Sequence, residues 1–310
     1  MIAVAGFNTA IDRRVDVDVL QPGEVQRARA VAVEPGGKGL HVAQVAAVLG
    51  EEAALVGLTD AANEGLLQAH LNARGVNWHG VHQAGGLRQC LAIREADGRM
   101  TEILESGEAL SRAQCDALIG EVESLIPTSN ALVLSGSLPH GCDVNTYADL
   151  VRTASACGVK SLLDASGETL RACLAAQPWL VKPNVDEAAA LWGRTVNNID
   201  DAVECAAWLH GRGIGWAVVT LGAQGAVGFD GTHAWHAHVE VKNVRNVVGS
   251  GDCFMAGLAV ACARGWTLDD ALRLASACGA ANAQGEETGY VDMDVVAALL
   301  ENVELQRLGG

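Results

Sequence analysis

A series of short apolar segments, each followed by a helical pattern, constrains the fold of this chain most strongly. Strands that alternate with helices favour a parallel sheet with right-handed crossovers and with helices packed on its faces. We therefore predict an α/β fold whose mostly parallel central sheet is covered by helices on both faces. The predicted strands span residues 2–5, 53–58, 131–134, 161–163, 179–181 and 217–221.

Polar motifs follow directly after three of these strands, at residues 135–139, 182–187 and 222–225. The carboxyl ends of parallel strands meet at one edge of a sheet, and ligands of such folds bind beyond that edge. We therefore expect the three motifs to lie near one another.

Two further segments, at residues 15–33 and 76–104, alternate apolar and polar residues between glycines. An alternation with period two is typical of strands that have one exposed face. We predict that they form a small antiparallel β lid on one domain spanning residues 1–310, with lid segments at about 13–33 and 76–105. The edges of such a sheet are unpaired, and dimerisation could cover them.

The segment Gly249-Ser250-Gly251-Asp252 opens a helical pattern. Glycine tolerates positive φ, so the three amides before Asp252 can converge on an anion at the positive end of the helix dipole. Asp252 would repel that anion unless it had its own task, such as taking the proton from a hydroxyl that attacks a phosphoryl group. The alternative is that Asp252 only caps the helix.

Asn184 and Glu187 lie three residues apart where another helix is predicted to begin. Side chains at this spacing face the same side, and their oxygens suit a Mg²⁺ ion that keeps some of its waters. The alternative is a capping box, in which each side chain accepts a hydrogen bond from the other residue's backbone. Metal support and helix capping both stay open.

The chain carries a net charge of −16, from 37 acidic and 21 basic residues. This charge repels nucleic acid and anionic membrane surfaces, so we expect neither as a partner. No apolar run approaches the roughly 20 residues that span a bilayer. The nine cysteines include no Cys-x-x-Cys pair, which favours reduced thiols. These features predict a cytoplasmic protein, in which a small anionic ligand needs a local cluster of positive groups.

Five motifs occur in an order that resembles the ribokinase-like (PfkB) carbohydrate kinases. The motifs are Gly36-Gly37-Lys38-Gly39, Ser135-Gly136-Ser137-Leu138-Pro139, Lys182-Pro183-Asn184 with Glu187, Thr220-Leu221-Gly222-Ala223-Gln224-Gly225, and Gly249-Ser250-Gly251-Asp252. Residues 8–12 and 164–168 are similar to the branch that contains 1-phosphofructokinase, tagatose-6-phosphate kinase and the minor 6-phosphofructokinase. The resemblance, from residue 1 to about 300, implies phosphorylation of a sugar or sugar phosphate with ATP and Mg²⁺, and a homodimer formed through the lid.

The resemblance also implies roles for individual residues. In the nucleotide half it assigns Asp252 as the general base, with the anion hole at Gly249, Ser250 and Gly251. It places the metal and nucleotide contacts at Lys182, Asn184, Glu187, Thr220, Gly222, Gly225 and Asn282. Two simpler interpretations remain open: the segment 220–225 as the turn of a hairpin, and Asn282 as a polar position on a helix surface.

In the sugar half, the resemblance implies substrate contacts at Asp12, Gly37, Lys38, His41, Arg88, Ser137 and Arg27. A guanidinium or an ammonium suits a phosphate on the substrate. The alternatives are that Asp12 is a turn residue, that Lys38 is a solvated lysine and that each arginine is an ordinary surface residue.

This half also departs from the branch, which usually has asparagine at His41, arginine at Gln44, proline at Thr9 and a Thr-Arg-Ile-Asn phrase at residues 87–90. We expect a kinase for a phosphorylated ketohexose, of the 1-phosphofructokinase or tagatose-6-phosphate kinase type. The departures leave open an unphosphorylated or differently charged sugar or polyol.

A non-catalytic sugar- or nucleotide-binding regulator is an alternative of another class. A nicotinamide oxidoreductase is weaker still, because no Gly-x-Gly-x-x-Gly follows the first strand.

Overall fold

The computed structural model describes residues 1–309 of the chain. The strands are β1 (Ile2–Ala5), β2 (Ala10–Asp16), β3 (Ala30–Gly36), β4 (Ala53–Thr59), β5 (Val76–His82), β6 (Arg88–Arg94), β7 (Met100–Leu104), β8 (Ala131–Ser135), β9 (Lys160–Asp164), β10 (Leu180–Val181), β11 (Trp216–Thr220), β12 (Ala226–Phe229), β13 (Ala234–His238) and β14 (Glu304–Leu308). The helices are α1 (Lys38–Val48), α2 (Glu64–Ala73), α3 (Arg112–Leu125), α4 (Thr146–Ala156), α5 (Gly167–Leu174), α6 (Val185–Trp192), α7 (Ile199–His210), α8 (Ser250–Ala263), α9 (Leu268–Gln284) and α10 (Met293–Leu300).

The large sheet has ten strands in the order β14-β13-β12-β11-β10-β9-β8-β1-β4-β5. The strands from β11 to β5 are parallel, whereas β12, β13 and β14 pair antiparallel at the other end. The inner strands β1 and β4 are buried along their whole length, which explains why they are continuous apolar runs in the sequence. The predicted fold class is confirmed.

The helices contact the sheet in two groups. Helix α8 packs between α1 and α9, and α3, α4 and α5 form a second contacting series. Helix α8 is apolar on all sides and nearly every residue in it is buried, as expected for a helix enclosed by its neighbours. Gly257 permits this packing, because a Cβ there would lie 2.6 Å from Ala275 Cα on α9. The start of α8 is therefore supported by a buried, closely packed helix.

The lid is a four-stranded sheet in the order β3-β2-β6-β7. Its two outer pairs are antiparallel, and β2 pairs with β6 in parallel across the middle. One part of the predicted lid segment 76–105 lies elsewhere, because β5 pairs with β4 at the edge of the large sheet. The second lid segment therefore begins at Arg88.

Ion pairs connect the lid to the body of the molecule. Arg94 on β6 contacts Asp16 on β2 at 2.8 Å and Glu286, beyond α9, at 2.8 Å. Arg14 on β2 donates a hydrogen bond to the Glu286 carbonyl oxygen at 2.7 Å. The lid is thus attached to the segment that follows α9. Within residues 1–309, no helix combines the length and the apolar character needed to cross a bilayer.

Candidate active site

The carboxyl ends of the parallel strands bring the predicted motifs to one edge of the large sheet. The motif at residues 135–139 follows β8, Lys182 follows β10, and Gly222 follows β11. The order of the sheet places β10 directly between β9 and β11. The expected neighbourhood of the three motifs is confirmed.

The glycine loop takes the geometry that an anion site needs. Gly249 is the N-cap of α8, with φ of 84°, and Asp252 is buried in the first turn. Asp252 is therefore not the N-cap, and that interpretation is wrong. Within residues 1–309, the amides of Gly249 and Gly251 have no acceptor, whereas Ser250 N donates to Val247 O at 3.2 Å. Two amides, rather than the predicted three, are thus free to bind an anion at this helix start.

Asn282 holds this loop in place. Its side chain is fully buried and donates to the carbonyl oxygens of Val248 at 2.9 Å and Asn246 at 3.2 Å, and to Ser250 Oγ at 3.0 Å. Its Oδ1 accepts from Gly289 N at 2.8 Å. The interpretation of Asn282 as a surface residue is wrong. Its N–H groups are shared among three acceptors of the anion loop, so Asn282 supports that loop.

His41, in the first turn of α1, lies between two carboxylates. Its Nδ1 is 2.8 Å from Asp252 Oδ2, and its Nε2 is 3.6 Å from Asp12 Oδ2. Burial alone would lower the pKa of His41, but its contacts with the Asp12 and Asp252 carboxylates outweigh burial and raise the pKa to about 10. The two carboxylates thus favour the protonated ring, and His41 joins two residues that the sequence assigned to different tasks.

Lys38 and Lys182 converge on the buried carboxylate of Asp164, at the end of β9. Their Nζ atoms lie 3.7 Å and 3.3 Å from the two Asp164 oxygens. Burial opposes the charged form of Asp164, but Lys182 and Lys38 prevail and lower its pKa. Asp164 in turn raises the pKa of Lys38 above its ordinary value. A Cβ at Gly251 would lie 3.9 Å from Lys182 Nζ, so the Lys182 ammonium also faces the anion loop.

Asn184 and Glu187 form a capping box at the start of α6. Asn184 Oδ1 accepts from Glu187 N at 2.9 Å, and Glu187 Oε2 accepts from Asn184 N at 3.0 Å. The capping interpretation is therefore correct, and Glu187 Oε1 is the carboxylate oxygen that lies outside the capping box. Within the described part of the chain, no three His, Cys, Asp or Glu side chains are grouped as for a metal site.

The segment 220–225 forms the turn of the β11–β12 hairpin. A short 3₁₀ turn spans Gly222–Gln224, and Gly222 and Gly225 have φ of 59° and 88°. A Cβ at Gly225 would lie 2.1 Å from the carbonyl oxygen of Ala237. Thr220 is bridged to Asn184, so the turn lies beside the start of α6. The hairpin interpretation is correct, and it is compatible with a nucleotide contact.

On the sugar side, Asn8 links Arg88 to Ser137. Asn8 Nδ2 donates to Ser137 Oγ at 2.9 Å, and Arg88 Nε donates to the Asn8 carbonyl oxygen at 3.2 Å. A Cβ at Gly136 would lie 3.5 Å from Lys38 Cβ, so Lys38 is a neighbour of the same loop. The structure thus groups Lys38 and Ser137 at the loop after β8, with Arg88 linked to them through Asn8.

Two other predicted substrate residues have different surroundings. Gly37 is the N-cap of α1, with φ of 108°, and lies against the backbone of Asn8 and Thr9. Arg27 is exposed in the connection between β2 and β3. Within the described residues it has no ion-pair partner, and nothing there connects it to the site.

A model of the pfkB family of carbohydrate kinases matches residues 3–294. This chain belongs to that family. The pfkB kinase is therefore an ATP-dependent carbohydrate kinase rather than a nicotinamide oxidoreductase. The predicted resemblance to ribokinase-like carbohydrate kinases is confirmed.

Solved structures of phosphofructokinases have the fold of this pfkB kinase. Escherichia coli phosphofructokinase-2 in complex with fructose-6-phosphate is 26% identical, with a TM-score of 0.87 over 97% of this chain and 98% of that one. The tetrameric inhibited form of the same enzyme is 27% identical, with the same TM-score and coverage. A possible 1-phosphofructokinase from Thermotoga maritima shares the fold, with a TM-score of 0.90 at 20% identity over 100% of both chains.

Sequence reasoning assigned no site role to two residues that organise the site of the pfkB kinase. Asp164 entered only as part of the similar phrase at 164–168, although a charged residue at the end of an apolar strand could have been selected as Lys182 was. Gly289 gave no signal, because a glycine between helices is common. Its importance depends on which side chain packs against it in the folded protein.

Proposed function

We propose that this pfkB kinase transfers the γ-phosphoryl group of ATP to a hydroxyl of a phosphorylated ketohexose. The observation that carries the proposal is the buried carboxylate of Asp252 on the same helix turn as the free amides of Gly249 and Gly251. Attack of a hydroxyl on phosphorus requires a group that takes the hydroxyl proton and donors that stabilise the charge on the transferring group. The start of α8 supplies both.

The reaction follows from this arrangement. Asp252 takes the proton of the sugar hydroxyl, whose oxygen forms a bond to the γ-phosphorus of ATP while the bond from that phosphorus to the leaving oxygen of ADP breaks. The amides of Gly249 and Gly251 and the ammonium of Lys182 stabilise the negative charge on the phosphoryl group during its transfer. The dipole of α8 acts in the same direction.

ATP would lie over the neighbouring strand ends, with its phosphates pointing to α8. The turn that contains Gly222 and Gly225 is open on the side away from Ala237, and Thr220 borders it. Asn282 contributes indirectly, by fixing the loop that receives the phosphates.

Magnesium fits this site through one carboxylate. Glu187 Oε1 lies outside the capping box, and a single carboxylate with water and substrate phosphates is a common way to hold Mg²⁺. When bound, the ion would neutralise phosphate charge. Glu187 would hold it, directly or through water, while Asn184 orients Glu187.

Positive groups on the sugar side support a phosphorylated substrate. Lys38 and Arg88 lie near Ser137 in a protein that is acidic as a whole. Asp12 keeps acceptor capacity for sugar hydroxyls. The related phosphofructokinase-2 structure, in complex with fructose-6-phosphate, agrees with such a substrate.

A second candidate is a free sugar or polyol, which one observation favours. The Arg88 guanidinium already donates to the carbonyl oxygens of Asn8 and, at 3.5 Å, Glu105. A substrate phosphate would have to compete with these acceptors.

The test is ADP release by the purified protein with Mg-ATP and a panel of acceptors: fructose 1-phosphate, fructose 6-phosphate, tagatose 6-phosphate and the free sugars. We expect the highest kcat/KM for one of the phosphorylated ketohexoses. Higher kcat/KM for a free sugar would favour the second candidate, and no acceptor-dependent ADP release with any of them would contradict the proposal.

We further propose a homodimer formed through the lid. The outer face of the lid, opposite Asp12, exposes Val31 and Val33 on β3 and Ile103 on β7. Apolar side chains grouped on an exposed sheet are typical of an interface. Light scattering of wild type and of a Val33→Lys, Ile103→Lys double variant tests this. A wild-type monomer would contradict it.

A further inference from the structure

A series of contacts through Gly289, Gln44 and His70 holds the ring of His41 in one orientation. Gly289 packs against the ring so closely that a Cβ there would lie 2.1 Å from His41 Cγ. Gln44, one turn along α1, donates from Nε2 to the carbonyl oxygen of Gly289 at 2.6 Å. The Oε1 of Gln44 lies 3.0 Å from His70 Nε2. His41 and Gln44, two of the departures from the related branch, are therefore connected through their contacts with Gly289.

The orientation directs both ring nitrogens at carboxylates. A neutral imidazole has one N–H and one lone pair, so it would direct a lone pair at either Asp252 or Asp12. The doubly protonated ring faces a carboxylate with an N–H on each side. It hydrogen-bonds to Asp252 and forms an ion pair with Asp12. An asparagine at position 41 could not carry this charge.

The contact occupies only one oxygen of the base. His41 Nδ1 engages Oδ2 of Asp252, and the side chain of Asp252 is 9% exposed. Asp12, with a side chain 26% exposed, is the more accessible of the two carboxylates. The pair thus presents a sugar-contacting carboxylate and a base in a fixed mutual arrangement.

We propose that His41, as an imidazolium, is a positioning residue. It fixes Asp252 so that Asp252 Oδ1 receives the proton of the sugar hydroxyl, and it couples this base to Asp12. The inference rests on the proposed function of Asp252 as the base. The sugar that Asp12 binds is then aligned with the base by one charged ring, instead of by two independently placed side chains.

Charged groups from several elements surround the ring. They are Asp12 and Arg14 on β2, Glu34 on β3, Lys38 on α1, Asp252 on α8 and, through Gln44, His70 on α2; Arg74 pairs with Glu287 near Glu34. Burial lowers the pKa of His70, so His70 adds little positive charge at neutral pH. The two carboxylates in direct contact dominate, which agrees with a charged His41 up to a pH of about 10.

The first test reads the charge of His41 without any substrate. Histidine side-chain NMR of the whole protein, with His41 assigned by the signal missing in His41→Asn, gives its protonation between pH 6 and 10. We expect both ring nitrogens to stay protonated beyond pH 8, and the midpoint of the titration to fall in Asp252→Asn. A neutral His41 ring at pH 7 would overturn the proposal.

The second test separates positioning from packing. In His41→Asn we expect kcat to fall roughly 10- to 100-fold, with KM for ATP unchanged, because a charge-assisted hydrogen bond to the base is lost. The ratio of wild-type to variant kcat should stay constant below about pH 9 and decline as the pH passes 10, since only the wild type has an imidazolium to lose. A pH-independent ratio, or an unchanged kcat, would overturn the proposal.

A matched control is His79→Asn, which removes a second histidine–carboxylate contact, with Glu121, outside the site. It should keep the kcat and the pH profile of the wild type. The outcomes also separate the two claims. If no acceptor releases ADP, the proposed function fails, while the NMR titration still decides the state of His41. If the protein is active and His41 is neutral at pH 7, only this inference fails.

Discussion

The nucleotide side of the site consists mainly of backbone groups, whereas the sugar side consists of charged side chains. The nucleotide side uses backbone groups and local motifs: the amides at the start of α8, the turn after β11 and the capping box of α6. The sugar side uses charged side chains from separate elements, with Asp12 on β2, His41 on α1 and Arg88 on β6. The departures from the related branch fall on this second side.

This difference assigns phosphoryl transfer to the nucleotide side and the choice of sugar to the sugar side. Backbone donors fixed by a helix start change little when side chains change, so phosphoryl transfer can persist while the substrate varies. The sugar side can be altered by single substitutions, and His41 with Gln44 shows two such changes that act together. Substitutions on the nucleotide side should therefore affect all acceptors equally, whereas those on the sugar side should discriminate between acceptors.

The largest effect is expected for Asp252→Asn. Loss of the base should lower kcat by about 10²- to 10⁴-fold for every acceptor, with ATP affinity nearly unchanged, because the anion site is backbone. Steady-state kinetics and ATP binding by calorimetry measure the two quantities. Asp186→Asn, an exposed change on α6, is the control. A variant with wild-type turnover would show that Asp252 is not the base.

The charge on His41, a residue of the sugar side, predicts that the stability of the protein depends on pH. Its pKa is raised from 6.5 to about 10 in the folded protein. The stabilisation by protonated His41 is thus complete below pH 6.5 and is lost as the pH rises through 10. Between these values it falls by about 1.4 kcal/mol per pH unit. Urea unfolding of wild type and His41→Asn should converge at high pH, and a constant difference in unfolding free energy across this range would contradict the prediction.

Arg88→Ala should discriminate between acceptors. A lost charge-assisted hydrogen bond to phosphate costs roughly 1.5 to 3 kcal/mol, or about tenfold to a hundredfold in affinity. KM for the phosphosugar should rise by that factor, while KM for ATP and for free fructose stay nearly constant. Arg112→Ala, on the exposed start of α3, is the control. Equal changes for phosphorylated and free fructose would place Arg88 in a structural role.

The smallest effect is expected for Glu187→Gln, on the nucleotide side. Glutamine preserves the capping box, so the melting temperature should hardly change. Loss of the carboxylate charge should raise the half-saturating Mg²⁺ concentration by roughly threefold to tenfold, or about 1 kcal/mol in binding free energy. A magnesium titration of activity measures this concentration. Identical curves for wild type and Glu187→Gln would show that Glu187 only caps α6.

The sequence predicted the inner part of the sheet well and its edge less well. Strands buried on both faces, such as β1 and β4, are continuous apolar runs that cannot be confused with a lid. Strand β5 is an edge strand with one partly exposed face, so its pattern alternates as a lid strand does. Alternation reports exposure, and it does not report which sheet the strand joins.

The site shows a similar limit. Local motifs such as Asn184 with Glu187 gave the correct helix start, because capping depends on neighbours in sequence. The contact between His41 and Asp252 joins residues 211 positions apart. Likewise, Asn282 lies on an alanine-rich helix whose buried side only the fold defines. The residues were predictable as candidates, but their partners were not.

The central claim is phosphoryl transfer to a sugar that already carries a phosphate, and ³¹P NMR of the products tests it most directly. With Mg-ATP and the best phosphorylated ketohexose from the panel, the account predicts a second phosphomonoester resonance that grows in step with ADP and is almost absent with Asp252→Asn. Release of ADP and inorganic phosphate without a new phosphomonoester, or a new phosphomonoester only with free sugars, would contradict it.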